Sequence, residues 1–410
     1  MLAIYNIGIK IYYFLVLLVS VFNNKAEKWI SGRKGWKKKW SKHPIVAPTA
    51  WFHFASLGEF EQGKPLMESF REKFPDKKIV ITFFSPSGYE IRKNSPLGDY
   101  ILYLPLDTAK NAKDFISVFK PEVAFFNKYE YWFHFFKALN EKRIPLYITS
   151  AIFRPEQAFF RKYGNFNRLI LSYVTHFFVQ NKESEDLLKS IGINSSTISG
   201  DTRFDSVNNL SKKIKDLPFI VDFKADSQLI IAGSSWPEDE KLLAQWLIEH
   251  AEGRKIVFAP HEIKEDRINY IIKLFPESWT IKHSEIRNQN LADFKVLIID
   301  NIGMLSSLYP YGEIAYIGGG FGVGIHNTLE AAAWGMPVIF GPNYQKFQEA
   351  KDLIEIDAGF SIASQQELNN ILNKLANDIN YQEEAASTAK SYVDKNVGAT
   401  KIIMDKVFSN

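Results

Sequence analysis

The sequence predicts an α/β protein with two doubly wound, Rossmann-like domains behind an N-terminal membrane segment. Three features predict it: short apolar runs alternating with amphipathic stretches, a polar interruption midway along the chain, and an apolar run near the N-terminus followed by a basic cluster. A length of 410 residues exceeds one ordinary core. With 46% hydrophobic and 23% charged residues, the chain has the composition of a folded globular protein. It has no cysteine, which excludes disulfides, thiolate nucleophiles and Cys metal sites.

The N-terminal segment comes first. Ile11–Phe22 is uninterrupted apolar sequence, and adding Ile4–Lys10 brings it near the roughly 20 residues that span a bilayer. Residues 1–42 carry nine Lys or Arg against Glu27, a charge of +8, so with a total of +4 the remainder of the chain carries −4. The basic character therefore belongs to this segment, and a nucleic-acid face on the folded body is not expected. Lys25, Lys28, Arg33, Lys34, Lys37, Lys38, Lys39 and Lys42 are interleaved with Trp29, Trp36 and Trp40, which suits the cytoplasmic membrane interface. A cleaved signal peptide is the competing reading, but the charge follows the apolar run and Asn23-Asn24-Lys25 is no small-residue cleavage site. Lys10 leaves open whether the run spans the bilayer or lies in the interface.

Strands are expected at Trp51–Phe54, Ile79–Phe83, Val123–Phe126, Leu146–Ile148 and Phe177–Val179, with helices over Glu59–Phe74, Thr108–Phe119, Trp132–Lys142 and Lys182–Ile191. The polar stretch Asp205–Ser227 breaks the alternation and reads as a connection. Strands resume at Leu229–Ala232, Ile256–Ala259, Val296–Asp300, Ile314–Ile317 and Pro337–Phe340, and the tail from Tyr381 reads as helical. The expected organisation is an anchor and basic segment over 1–42, a first domain over 43–208, a linker over 209–226, a second domain over 227–380 and C-terminal helices over 381–410. In such open sheets, ligands bind beyond the carboxyl ends of the strands, with the two domains facing a central cleft.

The loops at those strand ends carry the candidate chemistry. After Ile317 come Gly318, Gly319, Gly320, Gly322 and Gly324, then a helix expected from Asn327 through Trp334. Glycines permit positive φ and close ligand approach, and an Asn-capped helix start attracts a phosphate. Glu330 stands where a carboxylate reaches back toward that ligand; a capping box behind a Gly-rich turn is the plainer alternative. Ser56-Leu-Gly-Glu59 follows the first strand, so Glu59 is either a general base in the cleft or a helix-start acid favoured by the dipole. Glu130 lies just past another strand end, as a second site acid or a solvated loop acid. Arg203 in Gly200-Asp-Thr-Arg-Phe-Asp205 can stabilise a phosphate leaving group or pair with Asp205. Gly233-Ser-Ser-Trp-Pro237, Ala259-Pro-His-Glu262 and Asn301-Ile-Gly-Met304 are further loops at strand ends. The chain has no Walker loop, no His-Glu-x-x-His and no Gly-x-Ser-x-Gly, and its eight histidines have no metal-ligand spacing.

Taken together and in order, these motifs resemble the 3-deoxy-D-manno-octulosonic acid (Kdo) transferases of Gram-negative bacteria. The matching residues are Ser56–Glu59, Ser85-Pro-Ser-Gly88, Leu104-Pro-Leu-Asp107, Glu130-Tyr-Trp132, Gly200–Asp205, Gly318–Gly320, His326-Asn-Thr-Leu-Glu330 and Gly335–Pro342. The resemblance implies a GT-B glycosyltransferase that moves Kdo from CMP-Kdo to a lipid A precursor, inverting and without metal or other cofactor, at the cytoplasmic face of the inner membrane. It implies Glu59 as the base, Glu130 and Arg203 as transition-state supports, and a nucleotide site on Pro260, His261, Ile302, Gly303, Met304, Asn327, Thr328, Leu329 and Glu330. Four positions depart from the family pattern: His261 stands for Arg, Arg203 for Lys, Thr328 for Pro, and Lys128 for an acid. The rival readings are a UDP-using GT-B transferase or 2-epimerase, and a catalytically silent membrane-bound scaffold.

Overall fold

The computed structural model describes residues 1–42, 45, 48–212, 214–287, 289–322 and 324–409. The expected domain boundary at residue 43 thus falls outside the described residues. The chain divides into two compact units, Met1–Ser206 with Val397–Asn410, and Val207–Asn396.

The first unit is built on a seven-stranded sheet: β1 (Thr49–Phe54), β2 (Lys78–Phe83), β3 (Tyr100–Tyr103), β4 (Pro121–Asn127), β5 (Leu146–Ala151), β6 (His176–Val179) and β7 (Ser196–Ile198). The spatial order is β3-β2-β1-β4-β5-β6-β7, and every pair is parallel. The interior strands are buried on both faces, which is why they read as continuous apolar runs. One face packs Trp51, Phe126 and Ile148 against Phe115, Phe135 and Phe136. The other packs Phe52, Phe83 and Phe125 against Phe60, Phe70, Ile403 and Met404. The last two come from the C-terminal helix Ala399–Phe408, so the tail expected as one block divides between the units. Asp205 fastens it by accepting the N–H groups of Gly398 and Thr400, each at 2.7 Å.

The second unit repeats the plan with β8 (Gln228–Ser235), β9 (Arg254–Pro260), β10 (Thr280–Lys282), β11 (Val296–Ile298), β12 (Ile314–Ile317), β13 (Val338–Phe340) and β14 (Gly359–Ser361), ordered β10-β11-β9-β8-β12-β13-β14 and again parallel. Most of the expected linker is helical here. Residues Thr202–Ser211 and Pro218–Lys224 form helices, and Ile220 and Phe223 are buried. The amide of Leu217 donates to the Tyr311 hydroxyl at 3.0 Å, so the connection is packed and not free.

The first 42 residues do not share one environment. Leu2–Val19 is a helix long and apolar enough to cross a membrane, and none of its residues is buried. The helices that follow, Asn24–Ser31 and Trp36–Trp40, bury Trp29, Ile30 and Trp36 in the first unit. Arg33, expected to face lipid headgroups, is 7% exposed and donates to three backbone carbonyls: Leu104, Trp29 and Phe84, at 2.8, 2.9 and 2.7 Å. Its stem and charge close an internal seam, because carbonyls without partners there would be costly.

Candidate functional site

A doubly wound sheet has its crevice where the strand order reverses. In the first unit β1 is flanked by β2 and β4, and the loops leaving β1 and β4 carry Glu59 and Glu130. Ser56 caps the helix Leu57–Lys73, and the Glu59 carboxylate turns back to accept the Ala55 N–H at 2.6 Å. This placement fits the helix-start reading of Glu59, yet the same carboxylate is unusual chemically. Burial, assisted by the Glu130 charge and opposed by the Ala55 N–H and Lys128, pushes its pKa up to about 7. A carboxylate there is a competent base near neutrality.

Glu130 is held by Oε2, which accepts from the Trp132 indole at 3.0 Å and lies 3.2 Å from His53 Nε2. Lys128, two residues earlier, has φ +52°, a strained value for a side chain of its size. Arg203 pairs with Asp201, not with Asp205: its Nε is 2.8 Å from Asp201 Oδ2, and its backbone N–H reaches Oδ1 at 2.9 Å. Gln62 also bonds Asp201, Asn127 bonds Gln62 at 2.8 Å, and Thr149 bonds Asn127 at 3.2 Å. Burial works against the charge of Asp201, but Arg203, Lys128 and these bonds outweigh it and hold the group below the usual carboxylate range. The Tyr129 phenol, raised by burial, lies within electrostatic range of Arg154, Glu59, Arg203 and Asp201. Glu59, Glu130 and Arg203 therefore belong to one neighbourhood. His53, Gln62, Asn127 and Asp201 were missed, and Lys128 was noted only as standing where the family pattern has an acid. Asp201 stands inside a quoted motif, but a strand histidine and a helix glutamine carry no sequence signal of their own.

In the second unit β8 lies between β9 and β12. A cavity of about 470 Å³ at these strand ends is lined by Pro260, His261, Ile302 and Gly303, with Ser234 and Asn301 among the others. Four of the expected nucleotide residues are thus together. Met304, Asn327, Thr328, Leu329 and Glu330 are not among the lining residues. The His326 ring lies 4.7 Å from that of His261, which itself stacks on Trp236 at 4.8 Å, so the Asn327 segment adjoins the cavity. Burial, then His261, lowers the pKa of His326.

The glycine loop differs from expectation. A Cβ on Gly318 would meet Ser234 O at 2.3 Å, and one on Gly320 would meet the Gly341 backbone at 2.6 Å, so these glycines serve chain-to-chain packing. Gly319 (φ +93°) needs its freedom and donates its N–H to Asp239 Oδ2 at 3.0 Å. Asp239, absent from the sequence reading, also accepts from Trp236 N at 2.9 Å and the Tyr316 hydroxyl at 2.8 Å. The following helix is only Leu329–Ala333, capped at Thr328. Asn327 precedes the cap, accepting from Leu329 N at 3.1 Å and donating to Glu330 at 2.9 Å. Five residues carry little of a macrodipole. Leu329 and Thr328 are fully buried, so the Leu329 side chain is core, and the Thr328 hydroxyl has no hydrogen-bond partner among the described residues. No group of three or more His, Asp or Glu side chains among the described residues could hold a metal ion.

Residues 29–206 match the family model described as 3-deoxy-D-manno-octulosonic-acid transferase (kdotransferase). The chain is 26% identical over 407 residues to the 3-deoxy-D-manno-octulosonic acid transferase of Chlamydophila psittaci, covering 96% of this chain and 89% of that one. It is 25% identical over 354 residues to the enzyme of the same name from Aquifex aeolicus, covering 84% and 92%. Among solved structures it resembles UDP-GlcNAc 2-epimerase from Neisseria meningitidis bound to UDP-GlcNAc (TM-score 0.64, 19% identity, 88% and 100% coverage) and Acinetobacter baumannii MurG (TM-score 0.55, 13%, 88% and 99%). Those likenesses concern the fold, two parallel sheets in the GT-B manner. The family match spans most of the first unit and the relatives align along most of the chain, so the chain is similar to the Kdo transferase family of glycosyltransferases.

Proposed function

We propose that this protein transfers Kdo from CMP-Kdo to a lipid A precursor, with inversion and without a metal, at the cytoplasmic face of the inner membrane. The observation that carries the reading is Glu59: a carboxylate on a rigid strand-to-helix turn, with Oε2 pinned by Ala55 N–H and a pKa near 7. It takes the proton from the acceptor hydroxyl as that oxygen attacks the anomeric carbon of Kdo. CMP departs as a phosphate, and the bond broken is the one to that phosphate. Arg203 and Glu130 support the charge that develops, and the cavity at Pro260, His261, Ile302 and Gly303 takes the nucleotide. His261 offers an imidazole where the family pattern has a guanidinium. The apolar helix Leu2–Val19 supports a membrane location suited to a lipid acceptor.

The test is to incubate purified protein with CMP-Kdo and a lipid A precursor and weigh the products. A mass increase of one or more Kdo units supports the reading. Conversion of UDP-GlcNAc instead, or CMP binding without any transfer, would replace it with the epimerase or the silent scaffold.

A further inference from the structure

His53 is wholly enclosed in β1, two residues from Trp51 and on the same sheet face, with its ring against Phe126 at 4.8 Å. Both of its nitrogens are engaged. Nδ1 lies 2.8 Å from the Thr82 hydroxyl and 3.2 Å from the Thr82 carbonyl, and Nε2 lies 3.2 Å from Glu130 Oε2. The direction of the bonds follows from the other end of the chain. The Trp51 indole donates to the Thr82 hydroxyl at 2.8 Å, and an indole N–H can only donate. Thr82 therefore accepts there and keeps its own proton to give. His53 Nδ1 at 2.8 Å is a better recipient than the Phe52 carbonyl at 3.5 Å. A ring that accepts at Nδ1 carries its proton on Nε2, which then points at Glu130.

Glu130 Oε2 thus takes two N–H donors, from His53 and from Trp132, while Oε1 has no hydrogen bond among the described residues. A carboxylate that accepts two bonds on one oxygen is fixed in orientation. We propose that His53 is a positioning residue that, through the chain Trp51–Thr82–His53, donates its Nε2 hydrogen bond to Glu130 and holds that carboxylate in place beside Glu59. The consequence falls on the base. Glu59 faces the Glu130 charge, which raises its pKa, and Lys128 and the Ala55 N–H, which lower it, while Tyr129 links its field to Arg154, Arg203 and Asp201. Releasing Glu130 removes the one charge in this set that makes Glu59 a stronger base.

The inference rests on the reading of Glu59 as the base, so Glu59→Gln is run alongside. The variants are His53→Phe, which removes both nitrogens; His53→Gln, whose amide N–H can replace Nε2; and Thr82→Val, which cuts the chain while leaving the ring in place. Each is assayed with CMP-Kdo and a lipid A precursor for kcat, donor KM and rate against pH. His53→Phe is expected to lose up to about 100-fold in kcat, the cost of a misplaced site group, with donor KM unchanged and the acid limb of the profile shifted to lower pH. Thr82→Val should move the limb in the same direction by less, and remains the reporter if His53→Phe does not fold. His53→Gln should restore most of the rate and the limb. Equal behaviour of His53→Phe and His53→Gln, or a limb that stays at the wild-type position in Thr82→Val, overturns the proposal while an inactive Glu59→Gln leaves the base reading standing. An active Glu59→Gln overturns both.

Discussion

The two units share a parallel-sheet plan yet hold their strand-end loops differently. In the first, side chains do the holding: Glu130 is fastened by His53 and Trp132, Arg203 by Asp201, and Asp201 by Gln62. In the second, backbone does it: Gly318 and Gly320 lie against neighbouring main chain, and one buried acid, Asp239, gathers the loop amides. Reactive carboxylates need preorganised orientation and charge, which buried polar networks supply. In the glycine loop the amides of Gly318, Gly319, Gly322 and Gly324 are spent inside the fold, on Gly233 O, Asp239 and Gly319 O, so the loop's shape is set by its own backbone.

Four experiments can break or sharpen that contrast, from the largest effect to the smallest. Deleting residues 1–42 should leave no soluble folded protein, since it strips Trp29, Ile30, Trp36 and Arg33 from the first unit. Each buried Trp alone is worth roughly 3–5 kcal/mol. Deleting only residues 1–22 should give a folded body with reduced membrane association, checked by circular dichroism and sedimentation with vesicles. A well-folded protein lacking residues 1–42 would show that the segment is an anchor alone.

Glu59→Gln should cost about two to four orders of magnitude in transfer while leaving CMP affinity at the wild-type value. In the wild type, turnover should rise with pH through about 7, because Glu59 accepts a proton only when ionised and burial has raised its pKa to about 7. A flat profile between pH 6 and 8 with the chemical step rate-limiting would contradict the assignment.

Asp239→Ala should weaken the second unit by roughly 3 kcal/mol. It orphans the Tyr316 hydroxyl and two amides, at about 1–3 kcal/mol for each buried unsatisfied group. Denaturant melts and CMP titration should both register it; loss of affinity without loss of stability would place Asp239 at the ligand. Asn327→Ala should be smallest, roughly 1 kcal/mol in stability, with a modest loss of CMP affinity measured by calorimetry. An affinity loss as large as that of Asp239→Ala would mean that Asn327 touches the nucleotide directly.

The sequence by itself determined the fold class, the interior strands and the places where loops leave them. Trp51–Phe54, Ile79–Phe83, Ile256–Ala259 and Ile314–Ile317 are buried on both faces, so their apolar runs announce them without help from neighbours. The edge strands Tyr100–Tyr103, Ser196–Ile198, Thr280–Lys282 and Gly359–Ser361 were not legible, being short and half-covered, with pairing decided by the strand beside them. Glu59, Glu130 and Arg203 were visible as acids and a base at strand ends. What fastens them was not, because His53, Gln62 and Asp201 become partners through chain separations of 77 and 139 residues that local pattern does not encode. Tertiary structure also decided that Arg33 is internal, that Leu329 is core, and that the Ala399–Phe408 helix belongs with the first sheet. Burial and partner choice are properties of the packed chain, and residue type alone leaves them open.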